Sequence, residues 1–94
     1  MQVHVHFTAP DIEALVRDLI GSDAEQLLAI DVRTGLDDGD ENVDDDVHCR
    51  LTAWLRAGGQ LGANHAAPTL VRALHGAVRE LRFGLERLDA AMLS

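Results

Sequence analysis

Apolar and polar positions alternate from the first residues of the chain: Val3, Val5 and Phe7 against Gln2, His4 and His6. A period of two predicts a first strand with one apolar face. Thr8, with Asp11 three residues on and Pro10 in the first turn, then predicts a helix over about Ala9–Ile20. Ile12, Leu15, Val16, Leu19 and Ile20 share one face of that helix, and Gly21 closes it. Ser22 and Glu25 repeat the capping signal for a short helical turn. Beyond it the period returns to two, with Leu28, Ile30 and Val32 set against Ala29, Asp31 and Arg33, which predicts a second strand.

Residues 35–46 break both periods. They are rich in Asp and Gly and predict an exposed acidic loop. Asp44, Asp45 and Asp46 stand where negative charge favours a helix start, and Val47, Leu51, Trp54 and Leu55 share a helical face. A helix is therefore expected to run to Ala57 and stop at Gly58-Gly59, followed by a connector over residues 58–66. From residue 67 to residue 93 a strict heptad appears. Val71, Leu74, Val78, Leu81, Leu85, Leu88 and Met92 alternate spacings of three and four, the seam of a helix that packs along a partner helix.

The expected fold is thus α+β: one domain, residues 1–94, with the order β-α-β-α-α, a two-stranded sheet and a long C-terminal heptad-patterned helix. Two strands alone are marginal in water, so either helices cover them or a second copy extends the sheet. The last helix would extend roughly 40 Å at about 1.5 Å per residue. A globule of this length has a radius of gyration of only about 13 Å. Its seam is therefore expected to outrun the domain and to bind a second copy, as a homodimer, or another helical protein.

Charge sharpens this picture. The formal net charge is −8, and all eight cationic side chains other than histidine are arginine. Arginine without lysine is the usage of GC-rich bacterial or phage coding, or of a halophile. Residues 1–50 hold thirteen acids against Arg17, Arg33 and Arg50, whereas residues 51–94 hold three acids against five arginines. Such asymmetry favours contacts between unlike halves. A strongly acidic balance argues against direct nucleic-acid binding, which needs a basic footprint. No apolar run is long enough for a membrane span, and the N-terminus lacks the basic-then-apolar order of a cleaved signal. With the single Cys49, a cytoplasmic protein is expected. On the expected helix Cys49 would lie opposite the apolar face and be exposed.

Candidate chemistry is thin. Asp37, Asp38, Asp40, Glu41 and Asp44 offer carboxylates to a cation or a basic partner. In EF-hand register, however, Asp45 falls where glycine belongs and Leu51 where the bidentate Glu belongs. His4 and His6 project from one face of the first strand and could grip one transition metal. An H-x-H pair on a strand resembles the opening metal motif of amidohydrolases and the first ligands of cupins. That resemblance covers three residues and implies a metal-dependent protein, the alternative reading of the chain. No spacing nominates a third ligand, so no metal site and no cofactor is assigned. Arg72, His75, Arg79 and Arg82 make a basic stripe beside the heptad. Walker, G-x-S-x-G, H-E-x-x-H and C-x-x-C motifs are absent, as are tyrosine and lysine. The sequence reads as a non-catalytic assembly, adaptor or inhibitor protein that associates through its C-terminal helix.

Overall fold

A computed structural model describes residues 1–6, 11–36 and 47–93, with side chains described as far as Leu88 except that of Leu36. The acidic residues 37–46, including Asp37, Asp38, Asp40, Glu41 and Asp44, lie outside the described residues, as does the side chain of Met92. The elements are β1 (Gln2–Val5), α1 (Ile12–Ile20), a 3₁₀ turn (Gly21–Gln26), β2 (Leu27–Leu36), β3 (Val47–Leu55), β4 (Gln60–Ala67) and α2 (Leu70–Leu93). The four strands form one mixed sheet in the order β1-β2-β3-β4, with β1 parallel to β2 and the other neighbours antiparallel.

This corrects the expected two-stranded sheet. The chain remains α+β with a long C-terminal helix, but residues 47–55 are a strand rather than a helix, and the expected connector is a further strand. Val47, Leu51, Trp54 and Leu55 fit a helical face, yet Val47, Leu51 and Leu55, with Cys49 and Ala53 between them, also fit a period of two. Cys49, Leu51 and Ala53 are buried, whereas His48, Arg50 and Trp54 point away. A β-branched Val47 and Thr52 and an aromatic Trp54 fit the pleated surface, and pairing on both sides decides the outcome. Gly58 and Gly59 do not stop a helix; they close a hairpin. The Gly58 N–H donates to the Leu55 carbonyl at 3.0 Å, and the two glycines take φ of 104° and 89°, values that L side chains rarely adopt.

Both helices pack on one face of the sheet. Ile12, Val16 and Ile20 of α1 and Ala73, Leu74, Ala77, Val78, Leu81 and Leu85 of α2 join Ile30, Val32, Cys49, Leu51, Ala53, Ala63 and Ala67 in a single core. Alanines on β4 and α2 let this helix approach the sheet closely, which compensates for a core almost without aromatics. Thr69 caps α2, its Oγ1 accepting from the Arg72 N–H at 3.2 Å. The helix thus starts at Leu70, and Ala67 belongs to β4. Arg82 ties α2 to the other helical segment, its Nε donating to Asp23 Oδ2 at 2.9 Å.

Candidate interaction surface

Strand alternation forces a second face on the sheet, and no helix among the described residues covers it. Because Val3 and Val5 turn towards the core, Gln2, His4 and His6 turn outwards. On β2 the outward residues are Ala29, Asp31 and Arg33; on β3 they are His48, Arg50, Thr52 and Trp54. On β4 they are Gln60, Gly62, Asn64 and Ala66. Trp54 sits across from Ala29 and Gln60, and its surface is 38% exposed. One register step places Leu28 beside it. The ladder pairs Leu27 with Leu55 and Ala29 with Trp54, so Leu28 is the extra residue of a bulge and is 52% exposed. The second strand's expected apolar set, Leu28, Ile30 and Val32, is therefore corrected to Leu27, Ile30 and Val32.

Charge on this face is organised around Asp31. Arg33 Nε donates to Asp31 Oδ2 at 2.9 Å, and the His6 imidazole contacts the other carboxylate oxygen. Burial tends to raise the Asp31 pKa, but the Arg33 hydrogen bond and His6 outweigh it and hold the carboxyl below its ordinary value. Arg33 in turn lies directly across from Arg50. Like charges opposite each other destabilise a ladder, and Asp31 is the neighbouring carboxylate that relieves them.

His4 and His6 do share a face, and His4 is the register partner of Asp31. Even so, no group of three metal-ligating side chains forms among the described residues. Cys49 is not exposed: it points into the core, where burial pushes its thiol up to about 11.

The heptad residues separate by position along α2. Leu74, Val78, Leu81 and Leu85 are buried against the chain's own sheet and α1. Val71 is 49% exposed, and Leu88 is 37% exposed although it continues the same seam. Leu85 is the last buried residue among those whose side chains are described, and the helix itself reaches Leu93. The basic stripe separates in the same way. Arg82 is engaged by Asp23, Arg79 lies 5.5 Å from the centre of the Phe83 ring, and Arg72 is exposed. No helix among the described residues is long and apolar enough to cross a membrane.

The uncovered face was beyond the reach of sequence reasoning because half of it belongs to β3 and β4. An available signal was the alternation of His48, Arg50, Thr52 and Trp54. No protein-family model matches the chain, and no curated protein is significantly similar to it.

Proposed function

We propose that this chain is a small acidic interaction protein without catalytic activity, of the assembly, adaptor or inhibitor kind. It presents the helix-free face of its sheet to a protein partner. The observation that carries this reading is Trp54, more than a third exposed beside the half-exposed Leu28, on the face that also carries Arg33 and Arg50. Tryptophan and arginine are the side chains most enriched at the energetic centres of protein interfaces. A bulge that holds Leu28 in solvent adds apolar area to the same end of the face.

Leu88, 37% exposed on α2, leaves the heptad open to a second contact there, with a copy of the chain or another helix.

Affinity capture from the source organism, read by quantitative mass spectrometry, tests the reading. Trp54→Ala and Arg50→Glu should each reduce recovery of one partner by about tenfold or more. Leu88→Asp should leave that recovery intact. Equal recovery by all three variants would remove the sheet face from consideration.

A further inference from the structure

The sheet has two edges, and they are unequal. β1 offers four residues, whereas β4 offers the eight residues Gln60–Ala67. Along β4 there is no charged side chain at neutral histidine, no proline and no bulge, and its register with β3 is continuous from Val47↔Ala67 to Trp54↔Gln60. Among the described residues no backbone hydrogen bond reaches its outer side. Monomeric proteins blunt such edges with lysine, proline, bulges or very short strands, because a flat unpaired edge templates another strand. None of those devices is present on β4.

We infer that β4 is the interface of a two-fold dimer in which two copies of this chain pair antiparallel through Gln60–Ala67 and fuse their sheets. An antiparallel edge is its own complement, so a two-fold axis normal to the sheet satisfies both copies with one surface. The pleat narrows the register. Outward-facing residues must meet outward-facing residues, so the axis passes through Ala63 or Asn64. In the first register Gly62 meets Asn64 of the partner subunit, and in the second it meets Ala66 of the partner subunit. Neither register opposes like charges.

Charge distribution selects this edge for self-association. The half of the chain holding β4 and α2 has three acids against five arginines, while the described acids Asp11, Glu13, Asp18, Asp23, Glu25 and Asp31 lie on α1, its flanking turns and β2. Pairing at β4 brings together the halves of small net charge and holds these six acids away from the axis. Pairing at β1 does the reverse. A β4-to-β1 contact is limited to four residues and generates an open filament rather than a closed pair.

Helix α2 accompanies the edge. Gly76 lies against His65 and Gly84 against Leu61, so α2 runs antiparallel to β4 and directly above it. The two-fold therefore sets α2 beside its counterpart, with Phe83, 47% exposed in the single chain, on the flank that faces it. This inference does not rest on the partner proposed for the sheet face, since Trp54 and Arg50 lie on β3 and take no part in it.

Light scattering after gel filtration, at high micromolar concentration, tests it. Wild type should elute with twice the 10.2 kDa of one chain. The double variant Gly62→Glu, Asn64→Glu crowds four carboxylates at the axis and should elute as a folded monomer with unchanged circular dichroism. A Cβ at Gly62 has space, its nearest neighbour being the Leu51 carbonyl at 3.9 Å. Amide exchange in wild type provides a reading that needs no variant: alternate β4 amides should become protected as concentration rises. A monomeric wild type, or a dimer abolished by Leu88→Asp but not by the double variant, overturns the inference.

Discussion

The imidazole of His65 lies so close over Gly76 that a side chain at position 76 has no room. This glycine stands in the interior of α2, where glycine costs about 1 kcal/mol relative to alanine. His65 is partly exposed and also approaches Glu80, its Nδ1 3.8 Å from Oε1. Gly76→Ala alone should therefore show no gain in stability or a loss, because the ring must leave its place. In a His65→Ala background the same substitution should stabilise by about 1 kcal/mol. Chemical denaturation of the four proteins of this cycle measures the coupling, and additive effects would mean that the ring does not occupy the notch.

How much of this was legible in the sequence depends on which partner a residue finds. β1 and α1 carry their period without competition and β2 carries it from Ile30 onward, past the bulge at Leu28; Ile12, Val16, Ile20, Ile30 and Val32 are buried as their spacing implies. Residues 47–55 satisfy both a helical and a strand period, and only the neighbours β2 and β4 settle the choice. β4 itself, QLGANHAA, is too poor in large apolar residues to announce a strand. Its inward alanines make sense only once α2 lies on them. The heptad was legible as a pattern, but a pattern does not say whether the facing surface is another helix or a sheet.

Asp31 makes stability depend on acid. Its native pKa is lowered, so its stabilising contribution is complete above the ordinary aspartate value of about 4 and is lost as pH falls through the lower native value. Asp31→Asn should be less stable than wild type at neutral pH, and the difference should shrink as pH falls below about 4. Urea unfolding at a series of pH values reads this directly. A constant difference across the series would mean that the carboxylate's charge is not what the face uses.

Two leucines on one seam should respond differently. Leu81 is buried in the core, so Leu81→Ala should cost about 2–5 kcal/mol through lost transfer energy and the cavity left behind. Leu88 is 37% exposed, and Leu88→Ala should change the stability of the single domain by less than about 0.5 kcal/mol. Measured at low concentration, comparable losses at both positions would show that the final turns of α2 are packed.

Zinc should find no stoichiometric site. His6 already faces Asp31, and the described residues assemble no third ligand with His4. Competition with a chromophoric chelator should detect no equimolar binding. An equimolar site lost in His4→Ala would restore the metal-dependent reading.

Cys49 reports on the same core through its chemistry. The thiolate is the reactive form, and burial in β3 both raises the thiol to about 11 and bars access to reagents. Its flanking residues His48 and Arg50 point to the opposite face, so neither side chain is directed at the sulfur. Modification of the native protein by an aromatic disulfide at pH 8 should therefore be slow and should follow the population of opened molecules. Leu81→Ala, by lowering the cost of opening, should accelerate it in proportion to the measured loss of stability, whereas Leu88→Ala should not. Rapid labelling of the folded wild type would place Cys49 on the surface, and with it would fall the assignment of residues 47–55 to a strand whose odd positions face the core.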